Sequence, residues 1–218
     1  MPRILFEKTG NAIYISHLDL MRLFQRAFKR AGLKLTHTQG YNPRPSVSIA
    51  LPLSLGTESH CELLDFDLEG DQPTCEEIKE RLNCALLPGI RVLQAYADGK
   101  KIKHLAYLDC TVTLEYDAGI PAGATEKIKA LFSLPALLVE KKGKNGPTQQ
   151  DIIPMIRQLS VAENGNCVIL SARICCQNPT LNPTQLVVAI ENNLPDCKPD
   201  FARCCRNEIY DMEETIFR

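Results

Sequence analysis

The chain has 218 residues, 44% of them apolar and 23% charged, with a formal net charge of −1, so it is long enough to bury a core and shows none of the bias of a disordered or fibrous chain. No run approaches the ~18 apolar residues that span a bilayer, and the start MPRILFEKTG lacks the apolar core and small-residue cleavage site of a signal peptide, so a cytoplasmic protein is expected. Ten cysteines fall short of the ~8–10% that marks a secreted disulfide scaffold, and they read as reduced thiols. The near-neutral total hides an asymmetry: residues 1–57 carry eight Lys/Arg against Glu7 and Asp19, whereas residues 58–80 carry nine acids against Lys79. A basic face and an acidic patch are expected.

In chain order, residues 3–8 (RILFEK) read as a strand closed by Thr9, Gly10 and Asn11. Ser16 and Asp19 then form a capping-box-like start to a helix that Gly32 ends. Leu20, Leu23, Phe24, Ala27 and Ala31 recur at helical spacing as its buried stripe, with Arg22, Arg26 and Lys29 opposite. A strand over 33–38, a Gly/Asn/Pro loop over 39–45, extended chain over 47–51 and a strand over 61–68 follow. Pro73 and Thr74 open a helix that runs to about residue 87, where Pro88 and Gly89 stop it before a strand over 90–97. The first half therefore reads β-α-β-β-α-β.

The second half repeats that order: a strand over 105–116, a helix over 123–132, a strand over 136–142 and a polar loop over 141–147. Residues 150–159 have no clear type; a strand over 167–175, a helix over 183–191 and a strand over 202–210 complete the chain. The expected fold class is α+β: two ferredoxin-like units with antiparallel sheets, residues 1–100 and 101–218. This duplication rests on element order alone.

Arg22, Arg26 and Lys29 stand at i, i+4 and i+7 and form a cationic stripe that Arg30 and Lys34 extend. The stripe lacks the interleaved acids of an ordinary solvated face, and His37, Gln39, Tyr41, Asn42 and Arg44 follow in one turn-rich segment. Guanidinium groups for phosphates, an aromatic ring for stacking and amides for base edges make a nucleic-acid-binding vocabulary, RNA being favoured over DNA. A solvated helix face, a protein-docking surface and plain punctuation between two strands are the alternatives. His17 lies in the first helical turn, where the dipole opposes an added positive charge, so a general base and a packed core residue are both open to it. His60 and His104 read as surface residues.

The cysteines at 61, 75, 84, 110, 167, 175, 176, 197, 204 and 205 contain no CxxxCxxC, so the chain cannot hold a radical SAM cluster. Walker, GxGxxG, HExxH and nucleophile-elbow motifs are likewise missing. No cofactor is expected. Neither is a metal, because Cys175-Cys176 and Cys204-Cys205 lie on expected strands and each pair presents one thiol per face.

Residues 9–56 carry a further signal. Ser16-His17-Leu18-Asp19, the basic helix to Arg30-Ala31-Gly32, Gln39-Gly40-Tyr41-Asn42-Pro43, and Ala50-Leu51-Pro52-Leu53 before Leu55-Gly56 closely resemble an uncharacterised, radical-SAM-linked bacterial family. Its members are encoded beside or fused to radical SAM proteins. The resemblance implies an accessory or substrate-recognition protein that works with a radical SAM partner. Many members have His where this chain has Arg44, so it implies no second loop histidine. More distantly, the paired ferredoxin-like plan with an N-terminal histidine is similar to RAMP-type CRISPR endoribonucleases, which implies metal-independent cleavage by His17 with Tyr14 or Tyr41. An adaptor docking through the acidic residues 58–80 is the third reading.

Overall fold

The computed structural model of the chain describes residues 1–70, 73–143 and 146–218. Among these it forms a mixed α+β structure with antiparallel strand pairs and four α-helices. Two compact units divide it: residues 1–104 with 217–218, and residues 105–216.

The first unit holds strand β1 (Arg3–Lys8), a 3-10 turn (Gly10–Tyr14), helix α1 (His17–Arg30), strands β2 (Val47–Ile49) and β3 (Thr57–Phe66), helix α2 (Cys75–Ala85) and strand β4 (Ile90–Tyr96). The strands pair antiparallel in the order β4-β1-β3, with β2 on β3. Ile4 and Phe6 of β1, Leu64 and Phe66 of β3 and Val92 of β4 pack against Leu20, Phe24, Ala27 and Phe28 of α1 and Ile78 and Leu82 of α2. Two ring pairs tie α1 to the strands: Phe6 with Phe24, centroids 4.7 Å apart, and Phe28 with Phe66, 5.0 Å apart.

Local chemistry sets the helix ends. Ser16 Oγ accepts from Asp19 N at 3.2 Å and donates to Asp19 Oδ2 at 2.7 Å. At the other end Gly32 adopts φ +68, and the bonds Leu33 N to Phe28 O and Gly32 N to Lys29 O make a Schellman motif. Thr74 and Glu77 form a complete capping box on α2. Gly89 is needed for space, since a Cβ there would lie 2.5 Å from the Thr9 carbonyl oxygen.

Three expectations change in this unit. Residues 33–38 form no strand; they make the isolated bridges Leu35↔Leu68 and His37↔Pro45, with bonds such as Thr36 N to Asp67 O and Glu69 N to Lys34 O around the first, and Pro45, which has no N–H, cannot extend the second. Leu33 and Leu35 are buried all the same. The buried stripe of α1 is rotated from its expected centre: Phe28 is fully buried, while Leu23 and Ala31 are half-buried. The strand over 61–68 begins earlier, at Thr57.

The second unit holds β5 (Leu105–Glu115), α3 (Ala124–Phe132), β6 (Leu138–Gly143), β7 (Gly146–Asp151), β8 (Ile156–Asn164), β9 (Cys167–Cys175), α4 (Pro183–Asn193) and β10 (Phe201–Asp211). Four strands pair antiparallel in the order β10-β5-β9-β8, and β6 pairs with β7 as a separate two-stranded hairpin. The polar loop expected over 141–147 is thus largely strand, and Lys144 and Asn145 of it lie outside the described residues. Residues 150–159 resolve into the end of β7, a 3-10 turn (Ile153–Met155) and the start of β8.

Candidate functional site

Two buried groups of β1 bear on where α1 lies. Lys8, 1% exposed, donates from Nζ to the Ile13 and Ile15 carbonyls at 3.0 and 2.8 Å, fixing the turn that delivers Ser16 and His17. Phe6 holds the inner face through Phe24. The outer face then presents Arg22, Arg26, Lys29 and Arg30 to solvent.

Arg22, Arg26 and Arg30 line one open depression of about 420 Å3, together with Asp19 and the apolar Ile15, Leu23 and Leu87. Contrary to expectation the stripe is not free of acid: Asp19 pairs with Arg22 at 3.0 Å. The Ser16 hydroxyl and then the Arg22 guanidinium hold the Asp19 carboxyl below the usual carboxylate range. Both partners are exposed, so solvent screens the pair. Arg30 donates to the Ala85 carbonyl at 2.6 Å, at the end of α2, and is held in place by it. Arg26 and Lys29 make no ion pair among the described residues.

The rest of the expected surface is not gathered here. Lys34 turns to Glu69 at 2.5 Å, and that bond pushes its ammonium pKa up. His37, Gln39, Tyr41, Asn42 and Arg44 are all exposed, and none of them lines the depression. Their loop is closed at its neck by Thr38 N to Arg44 O at 2.8 Å and Arg44 N to Thr38 Oγ1 at 3.0 Å, which leaves Tyr41 100% exposed at its tip. His17 is half-buried, its Nδ1 lacks a hydrogen-bond partner, and no bond joins it to Tyr14 or Tyr41 among the described residues.

A second open depression, about 640 Å3, is lined by Arg30, Ala31, Glu80, Arg81, Cys84, Ala85 and Leu87, and so shares Arg30 and Leu87 with the first. Sequence reasoning missed the α2 contribution and the apolar floor. The one available signal was Leu87, an apolar residue stranded between the helix end and Pro88-Gly89.

Among the described acids of residues 58–80 six have partners, while Glu76, Glu77 and Glu80 stand exposed on α2. Asp65 binds Arg3, Glu69 binds Lys34, Asp67 accepts from Thr36, Glu62 accepts from Ser59, Glu76 binds Lys79 and Glu77 caps α2. Asp71 lies outside the described residues.

Among the described residues no three His, Cys, Asp or Glu side chains are grouped as metal ligands would be. Burial pushes the Cys110 thiol from 9.0 to about 12 and the Cys204 thiol to about 11, which makes both inert. Near pH 8 a maleimide is expected to label exposed Cys84 and to leave Cys110 and Cys204 untouched until the chain unfolds, as read by mass spectrometry. The folded chain keeps a Cys110 proton that the unfolded chain releases above about 9, so this thiol leaves stability unchanged below pH 9 and lowers it as pH rises from 9 toward 12. Early labelling of Cys110 would refute that burial.

A family model described as "Uncharacterized protein conserved in bacteria (DUF2344)" matches residues 2–183. No curated protein matches. Among solved structures the chain is similar to one in "Crystal Structure of a Cbf5-Nop10-Gar1 Complex", at 9% identity and a TM-score of 0.51, over 95% of this chain and 48% of that one. This chain therefore spans about half the length of that neighbour, and the likeness is one of fold. A second structure, of an unknown protein from Galdieria sulphuraria, aligns at 12% identity over 97% of each chain, with a TM-score of 0.27 that carries no argument. No helix among the described residues is long and apolar enough to cross a membrane.

Proposed function

We propose a function on the premise that the chain belongs to the DUF2344 family of bacterial proteins: it binds RNA through the outer face of α1 and serves a separate radical SAM enzyme as a cytoplasmic substrate-recognition subunit. The observation that carries this reading is the convergence of Arg22, Arg26 and Arg30 on one depression, opposed there by Asp19 alone. Guanidinium groups bind phosphate oxygens through paired N–H donors, and Arg30 is already oriented by its bond to Ala85. Tyr41, fully exposed on a loop closed at its neck, offers a stacking surface for an unpaired base of tRNA or rRNA. The chain lacks the cysteine spacing that holds a radical SAM cluster, so the radical chemistry falls to its partner.

We read each unit as ferredoxin-like. Counting strands within a unit and setting the β6–β7 hairpin aside, the order is fourth, first, third, second in both, with a helix after the first and third strands. That plan places both helices of a unit on one face of its sheet, where α1 and α2 lie side by side.

The triple substitution Arg22→Ala/Arg26→Ala/Lys29→Ala is expected to weaken RNA binding and to reduce the slope of log K against log salt by about 2, at ~0.7 per phosphate contact for a single strand. Fluorescence anisotropy over a salt series measures both. Unchanged affinity with an unchanged slope would move the site off α1. Failure of the chain to co-purify with a co-expressed radical SAM protein from its own genome would remove the partner from the reading.

A further inference from the structure

We infer that the RNA bound here is unpaired, with a phosphate seated in the α1 depression and the adjoining base and sugar in the depression at the ends of α1 and α2. This inference rests on the RNA reading above and specifies its substrate class. The two depressions meet at Arg30 and Leu87, so one continuous ligand passes both.

Their chemistry differs. In the first, Arg22, Arg26 and Arg30 outnumber Asp19, which suits a phosphate. The second is lined by the last turns of both helices, at Arg30, Ala31, Cys84 and Ala85. A helix C-terminus is the negative end of the dipole and repels phosphate; here the Phe28, Lys29 and Ala85 carbonyls are already bonded, which leaves few acceptors at the rim, that of Cys84 among them. The carbonyl of Cys84 has no helical donor four residues on, because residue 88 is proline. Amino, imino and 2′-hydroxyl groups of a nucleoside are the donors that such a rim takes up, and the Arg30 and Arg81 guanidinium planes can stack on a base.

Duplex RNA cannot use this arrangement. Its bases are stacked inside, so it can bring a phosphate to the first depression but no base into the second, at the helix ends beside Leu87. Each depression, at about 420 and 640 Å3, has the size of a small-molecule site rather than of a groove that tracks a helix.

The test compares a single-stranded RNA of about twelve nucleotides with the same sequence as a perfect duplex, on the wild-type chain and on Leu87→Ser and Arg26→Ala variants, by anisotropy over a salt series. Leu87 is 48% exposed, so its replacement leaves the core intact. The single strand is expected to bind about tenfold more tightly than the duplex, from the apolar and stacking contact it alone can make. Leu87→Ser is expected to weaken single-strand binding about fivefold with no change in salt slope, because it removes apolar contact and no charge. Arg26→Ala is expected to lower the slope for both ligands. Equal binding of both ligands with a silent Leu87→Ser overturns this inference and leaves RNA binding standing. Binding of neither overturns both. Displacement of the single strand by poly-glutamate at equal charge assigns the surface to an acidic protein segment and likewise overturns it.

Discussion

Replacing Asp65 with alanine is expected to lower the stability of the chain by about 3–5 kcal/mol. Arg3 is 1% exposed, and its guanidinium grips Asp65 through Nε to Oδ1 at 2.6 Å and Nη2 to Oδ2 at 3.0 Å. Phe217 lies over the guanidinium at 5.3 Å, and a Cβ on Gly99 would come within 2.6 Å of Arg3 Cζ, so the guanidinium is closely packed. Removing the carboxylate alone strands a buried positive charge, whereas Arg3→Met/Asp65→Leu removes both charges and is expected to restore most of the loss. Urea denaturation at constant m-value measures the difference. A single Asp65→Ala variant within ~1 kcal/mol of the wild-type chain would show that Arg3 finds another partner.

Much of this structure follows from short-range chemistry that the sequence displays. Ser16 and Asp19 mark the start of α1, Gly32 its end and Thr74 the start of α2 through bonds spanning a few residues, and the helices begin or end there. The cationic stripe was legible for the same reason, since i, i+4, i+7 spacing fixes a common face once the helix exists. What escaped depends on partners far away in the chain. Residues 33–38 have strand composition, yet they make only isolated bridges, to Leu68 and to Pro45. The segment RILFEK looks like an ordinary strand, but its two cations are sunk against Asp65 and against the carbonyls of residues 13 and 15. Lys34 belongs with Glu69 and Arg30 with Ala85, pairings invisible from spacing along α1. Leu87 reaches the α1 face across more than 50 residues of chain, so the apolar floor, unlike the charges above it, had no local signature.

Phe28→Ala is expected to cost about 3–5 kcal/mol and to weaken RNA binding without removing any charge. The ring is fully buried, sits 5.0 Å from the ring of Phe66, and anchors the last turns of α1 to β3. Its carbonyl also receives the Leu33 amide that closes the Schellman motif, so the cavity left by alanine lies beneath the turn that ends the helix. Arg30 stands two residues further on and crosses to Ala85 at 2.6 Å. A loosened helix end therefore disorders the guanidinium shared by both depressions. Phe28→Leu keeps most of the apolar volume and is expected to lose less than half as much stability. The two effects separate by temperature: affinity lost through a frayed helix should recover on cooling and under saturating RNA, which stabilises the folded form by mass action. Affinity lost through Arg26→Ala should not recover under either condition, because there the missing element is the phosphate contact itself. If Phe28→Ala unfolded the chain yet left the affinity of its folded fraction unchanged, the positioning of Arg30 by the end of α1 would not matter to binding, and the site would be confined to Arg22 and Arg26.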